Sequence, residues 1–296
     1  MHKTFGQPIK NGCATSLLAT PLFATPLFFK LVVYSASLII LVPALLMLIW
    51  AFTGRWPWPN LVPESFSLRS FKELLFGSTD IVGLLISSIS LALISAAIST
   101  LIAVLSARGI ELYLTKAKAK AFFRFCGILP LLIPGTVFAI GIHLVFLRIG
   151  LADTLMGVVF VHVIVSLPYA LALISDVVAS LGGRLEEQAA LLGARPLSAF
   201  CYASLPQMLG AILSSFSLCF ILSYSQYFTT LIVGGGQVKT LALVLIPYIQ
   251  SGDRALASAY ALVFAGSALV VFALCEWAAH RLKRKGGRSG SKDQQS

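Results

Sequence analysis

The sequence predicts an all-α membrane protein with about six transmembrane helices, and three observations carry that reading. Of its 296 residues 58% are apolar and only 11% charged, against about a quarter charged in an ordinary soluble domain. Six runs are long and apolar enough to cross the hydrocarbon layer, which takes about 20 helical residues at ~1.5 Å per residue. The basic residues behind the net charge of +11 sit in short connections between those runs. They do not form the displayed stripe that phosphate recognition needs, which excludes nucleic acid as a partner.

The six runs fall at about residues 31–52, 81–105, 125–147, 154–176, 207–232 and 256–278. They make a single transmembrane domain over residues 31–280, after a lead-in over 1–30 and before a basic tail over 281–296. The tail contains GGRSGSKDQQS and is expected to be disordered, because it offers nothing to bury. Ala14–Phe29 is also apolar, but Pro21 and Pro26 interrupt it, so it reads as an interfacial lead-in, with a seventh membrane segment as the alternative. No cleavable signal peptide is expected, since the first long run exceeds the roughly 7 to 15 residues of a signal core. The stretch TLALVLIPYI, residues 240–249, is too short to span and should lie at or dip into the interface.

With both termini in the cytoplasm, 16 of the 22 basic residues fall on the inner side, including Arg108, Lys116, Lys118, Lys120, Arg124, Arg184 and Arg195. The outer connections hold Arg55, Arg69, Lys72, Arg148, Lys239 and Arg254. The positive-inside rule therefore puts the connection between spans four and five in the cytoplasm. That connection is half apolar with helical spacing. After Gly182 and Gly183, Leu185–Leu192 reads as a short helix with Glu186 and Glu187 near its N-terminus, where the helix dipole favours acids. Gly193 breaks it, since glycine reaches left-handed backbone angles without steric cost. A second short helix starts at Pro196, where proline fits the first turn, and Pro206 closes the loop. On pattern alone the pair could cover itself with lipid headgroups or with a protein.

Residues 186–206, EEQAALLGARPLSAFCYASLP, resemble the EAA loop of binding-protein-dependent ABC importer permeases. Glu187, Ala189, Gly193, Leu205 and Pro206 fall at the family's spacing; Gln188 replaces the first alanine, and Ala203 stands where an aliphatic such as isoleucine is usual. LPLLIPGTVFAIGIHLVF in span three and GVVFVHVIVSLPYALAL in span four extend the likeness, which covers roughly residues 80–278. The resemblance implies a type I ABC importer permease fold in a bacterial inner membrane. The loop would be the coupling helix, with Glu186, Glu187, Ala189, Ala190, Gly193, Leu205 and Pro206 engaging a separate ATPase subunit. A second permease subunit and an extracytoplasmic solute-binding protein are implied as further partners, beside membrane lipid. ATP would be used by the partner, with no cofactor bound by this chain, which makes it a transport subunit and not an enzyme. Accordingly there is no GxxxxGK[ST] phosphate loop: GGGQVKT, residues 234–240, has Val238 where the glycine before lysine is required, and reads as a turn. Residues 223–264 look like the branch serving thiamine, iron(III) and polyamines.

Within the spans, Ser215, Cys219, Ser223, Gln226 and Thr230 are spaced by four, four, three and four residues, one face of a continuous helix. A polar stripe in lipid must face protein or water. Packing and pathway lining both satisfy that, and the resemblance favours the pathway for Ser223 and Gln226. Ser88, Ala92, Ser95, Ser99 and Ala103 form a small-residue face suited to close helix packing. His143 and His162 have no acidic partner within a span and read as neutral, hydrogen-bonded residues, His162 being a further pathway candidate. Pro130, Pro134 and Pro168 should interrupt or kink their helices. The alternative class, an ion- or proton-coupled secondary transporter, would be expected to show repeats or intramembrane charges. Neither is visible. No HExxH or CxxC motif points to a metal, and the five cysteines are scattered.

Overall fold

The structure is a computed structural model that describes residues 26–57, 59–77 and 79–292. The apolar lead-in up to residue 25 and the last four residues of the tail lie outside the described residues. Two units are distinguished, residues 1–49 and 50–296. The described residues of the first belong to helix α1, Pro26–Ala51, a 26-residue apolar helix with Pro43 inside it.

The second unit holds the remaining helices: α2 (Arg69–Phe76), α3 (Ile81–Arg108), α4 (Ala117–Leu132), α5 (Gly135–Ile149), α6 (Leu155–Leu181), α7 (Arg184–Leu191), α8 (Pro196–Ala199), α9 (Leu205–Tyr224), α10 (Phe228–Gly234), α11 (Leu241–Gln250) and α12 (Arg254–Lys292). A small antiparallel hairpin, β1 (Thr53–Arg55) with β2 (Ser65–Phe66), was not legible in the sequence pattern. Among the described residues, five helices are long and apolar enough to cross a membrane, and a bent pair makes a sixth.

Local chemistry explains the helix ends. Asp80 caps α3 by accepting from the Gly83 N–H at 2.9 Å, and Thr154 caps α6 by accepting from the Gly157 N–H at 3.0 Å. Such caps satisfy amide donors that have no partner inside the helix.

The bundle is built on α3, α6 and α9, with α12 against α9. All five residues of the small face of α3 are buried, so the packing reading of that face holds. Its centre joins Ala92, Ala96 and Ala103 to Leu171 and Ile174 of α6 and Met208 and Phe220 of α9. Lipid is as apolar as leucine, so close packing of small residues and buried hydrogen bonds hold such helices together. Phe220, Tyr224 and Phe264 stack in series at 5.5 and 4.7 Å, tying α9 to α12, and the Tyr224 hydroxyl meets that of Ser267 at 2.6 Å.

Three sequence expectations are corrected. The third run is not one straight span: α4 and α5 meet at 100°. Pro134 supplies no N–H and drives Ile133 into an extended conformation (φ −95°, ψ 129°), so the helix cannot pass through. The fifth run also divides, because α9 stops at Tyr224 and Ser225–Tyr227 separate it from α10. The stripe therefore does not lie on a single helix. Finally, α12 continues through the basic segment to Lys292 instead of stopping at 280. Its lysines and arginines are good helix formers, and each glycine there costs only about 1 kcal/mol.

Candidate functional site

The loop between α6 and α9 folds as a compact helical unit. Gly182, with φ +63°, ends α6. Helix α7 ends in a Schellman motif: the Gly193 N–H donates to the Ala190 carbonyl at 2.9 Å, and the Ala194 N–H to the Ala189 carbonyl at 3.0 Å. Gly193 has φ +86°, and a Cβ there would meet nothing within 4 Å. The constraint at this position is thus backbone conformation and not space. Pro196 occupies the first turn of α8 as expected.

Pro206 does not close the loop. The chain stays helical from Pro196 to Tyr224, because Phe200–Ser204 forms a π-helical turn in which the Leu205 N–H reaches back to the Phe200 carbonyl. Pro206 then falls in the first turn of α9, where a missing N–H does no harm.

The two adjacent acids of α7 face different ways. Glu187 is exposed. Glu186 turns inward, and its carboxylate accepts a two-pronged pair from the Arg108 guanidinium at the end of α3, Nη1 to Oε1 at 2.6 Å and Nη2 to Oε2 at 2.9 Å. The Ser204 hydroxyl donates to the same Oε1 at 2.6 Å, and the guanidinium lies 4.1 Å from the centre of the Phe200 ring. Arg108, Ser204 and Phe200 were missed in the sequence, where Arg108 counted only toward orientation.

Hydrogen bonding from Arg108 holds the Glu186 carboxyl below its ordinary value of 4.5, with burial opposing and Ser204 assisting. A depressed folded value adds stability above the ordinary value, and that stability is lost as pH falls through the depressed one. Hydrogen exchange of amides 184–204, corrected for the intrinsic pH dependence, should therefore stay slow at neutral pH and accelerate only below about 4.5.

The outward surface of the loop is apolar. Leu191, Leu192, Leu197 and Tyr202 are 88%, 89%, 74% and 85% exposed, and Arg184, Glu187 and Arg195 of the same loop are exposed as well.

A second cluster gathers most of the candidate pathway residues. His162 on α6 lies with Nδ1 2.8 Å from the Ser223 hydroxyl and Nε2 3.0 Å from that of Thr230 on α10. Thr230 already donates its single proton to the Gln226 carbonyl at 2.6 Å, so toward the ring it can only accept. That count assigns a proton to Nε2, and in a neutral ring Nδ1 then accepts from Ser223. One histidine thus bridges α6, α9 and α10 across the break in the fifth run. His162, Ser215, Ser223 and Thr230 are buried, whereas Gln226 is half-exposed. Ser215 is buried but is not drawn into this cluster. The Nδ1 atom of His143 is buried without a hydrogen-bond partner among the described residues. Gly234–Gln237 forms a turn, closed by the Gln237 N–H on the Gly234 carbonyl at 2.8 Å.

No group of three metal-ligating side chains occurs among the described residues. Residues 99–285 match the family described as binding-protein-dependent transport system inner membrane component, a stretch that includes Arg108, His162 and the whole α6–α9 loop. The chain is 29% identical over 248 residues to a spermidine/putrescine transport system permease protein PotC homolog of Mycoplasma genitalium, covering 80% of this chain and 84% of that protein. It is 26% identical over 240 residues to the putrescine transport system permease protein PotI of Escherichia coli, covering 77% and 82%. It is 28% identical over 203 residues to the molybdenum transport system permease protein ModB of Mycobacterium tuberculosis, covering 62% and 77%. These matches set aside the secondary-transporter alternative. A polytopic helical bundle, a helical loop at the EAA position and a family match over well over half the chain agree: this protein belongs to the binding-protein-dependent transport system inner membrane components and is a permease subunit of an ATP-binding cassette importer.

Proposed function

We propose that this permease pairs with a second permease subunit in the bacterial inner membrane. In this reading, ATP is bound and hydrolysed by separate cassette subunits that dock on α7, α8 and the π turn. The loop and both termini are cytoplasmic, and a solute-binding protein delivers cargo at the other face. This chain binds no cofactor of its own. The observation that carries the reading is the set of four large apolar side chains exposed at the tip of the loop. Isolated exposed apolar residues are ordinary, whereas a cluster framed by charge marks a protein contact. Glu187, Gly193 and the carbonyls of Ala189 and Ala190 shape that contact, while Leu205 and Pro206 lead it into α9. The excess of basic residues at this end supports the cytoplasmic placement.

Gly193→Asp tests the assignment. It forces a left-handed backbone on a residue with a Cβ, at a cost of about 1–2 kcal/mol, and adds a carboxylate at the contact. Complexes carrying it should lose stimulated ATP hydrolysis and transport together. Full retention of both would remove the coupling role from the loop.

For cargo, we propose small cations of the spermidine and putrescine kind, supported by two relatives matched over more than three quarters of this chain. Gln226, half-exposed at the break between α9 and α10, is the candidate lining residue carried forward. Ser215, Ser223, Thr230 and His162 would act on the pathway by holding its helices. Uptake of labelled spermidine, putrescine and molybdate by a deletion strain and its complemented parent separates the cargo classes. Loss of molybdate uptake alone would reverse the assignment.

A further inference from the structure

We propose that Arg108 is a positioning residue for coupling, the point at which movement of the loop is delivered to α3. The proposal rests on the coupling reading of the loop and adds to it a route into the membrane-spanning bundle.

Through α8 and the π turn the loop runs directly into α9, and its route to α3 is a separate one. Helix α7 buries none of its residues, and it packs chiefly on α8 and the π turn, elements of the same loop. Its firm link to α3 is the Glu186–Arg108 pair, whose side chains are only 18% and 13% exposed. A two-pronged guanidinium–carboxylate pair resists rotation as well as separation, which a single ammonium contact does not. The Ser204 hydroxyl and the Phe200 ring hold the same pair from the start of the helix that becomes α9. Loop, α3 and the approach to α9 therefore meet at one guanidinium.

The connection continues beyond Arg108. The next residues, Gly109–Tyr113, form a second π turn, a geometry that recurs at functional sites. Within it Glu111 has a side chain only 4% exposed, paired with Arg124 of α4 at 2.9 Å. Lys120 of α4 donates to the Glu111 carbonyl oxygen at 2.7 Å. A shift at Arg108 is thus passed to the start of α4 through the adjoining turn. The two neighbouring acids divide the work, Glu187 outward to a partner and Glu186 inward to α3.

The test uses the full transporter, with its ATPase, second permease and binding protein, in liposomes loaded to report solute uptake and phosphate release. The variants are Arg108→Lys, Glu186→Gln and the exchange Arg108→Glu with Glu186→Arg. The readout is solute moved per ATP hydrolysed, normalised to assembled complex. Each single variant should lower that ratio by about ten-fold, equivalent to about 1.4 kcal/mol. The exchange should recover a large part of it.

A wild-type ratio in both single variants overturns the proposal. So does a loss that only tracks the amount of assembled complex, which is what a fold-stabilising pair would give, or an exchange no better than the singles. Gly193→Asp runs alongside. If it loses stimulated ATP hydrolysis and transport while the Arg108 and Glu186 variants keep the wild-type ratio, the route through α3 fails and the docking role of the loop stands. If it keeps both rates at the wild-type level, the docking role itself fails.

Discussion

Replacing Leu191 and Leu192 together by aspartate should abolish capture of the ATPase subunit without unfolding the permease. Both side chains are almost fully exposed in the isolated chain, and exposed substitutions ordinarily change stability by about 0.5 kcal/mol or less. At a docked surface the balance is different. Each leucine contributes about 1.5–3 kcal/mol when buried, and each carboxylate put in its place must be stripped of water at a cost of several kcal/mol. Even with partial relief by rearrangement, a loss of about 4 kcal/mol or more is expected, roughly a thousand-fold in Kd. Titrating detergent-solubilised permease with tagged ATPase measures it directly, with the Leu61→Asp variant, exposed in the connection between β1 and β2, as the control. Unchanged affinity of the double variant would mean that the ATPase binds elsewhere.

His162→Ala should be the most destabilising single change inside the bundle. The imidazole is fully enclosed, so truncation leaves a cavity, and large-to-small core changes cost about 2–5 kcal/mol. It also removes both bonds that tie Ser223 and Thr230 to α6, each contributing about 0.6–2 kcal/mol in a membrane. Ser223→Ala removes one bond and little volume and should cost about 1 kcal/mol. Thermal unfolding in a fixed detergent gives both values. Equal midpoints for wild type and His162→Ala would show that the ring does not bridge the three helices.

The parts of the fold that were legible in the sequence are those set by local chemistry. Six apolar runs located the spans, Gly193 announced the left-handed end of α7, and Pro196 marked the first turn of α8. Pro134 predicted an interruption, although only the geometry revealed a bend of 100°. What the sequence hid depends on partners far apart along the chain. Arg108 and Glu186 are separated by 78 residues, so neither predicts the other, and a cation at a span end looks like a topology signal. The polar spacing of the fifth run was real but misassigned. Ser223 and Thr230 do converge, because α9 ends and α10 turns back toward His162, whereas the periodicity argument assumed one unbroken helix. Pro206 misled for a related reason: a proline usually ends helices, and nothing in the pattern announces the π turn that lets the helix run through it.

That turn at Phe200–Ser204 gives the loop a phase as well as a length. An α-helix advances about 100° per residue, and a π turn holds one residue more than the α-helical turn it replaces. If the same residues took ordinary winding instead, the tip of the loop would swing about a quarter-turn around the axis of α9. Leu197 and Tyr202 would then be re-aimed relative to one another, and Ser204 would be carried away from Glu186. The π turn is therefore an angular setting that takes up one residue, and a chain of the same length without it would keep its motif residues while pointing them in the wrong direction.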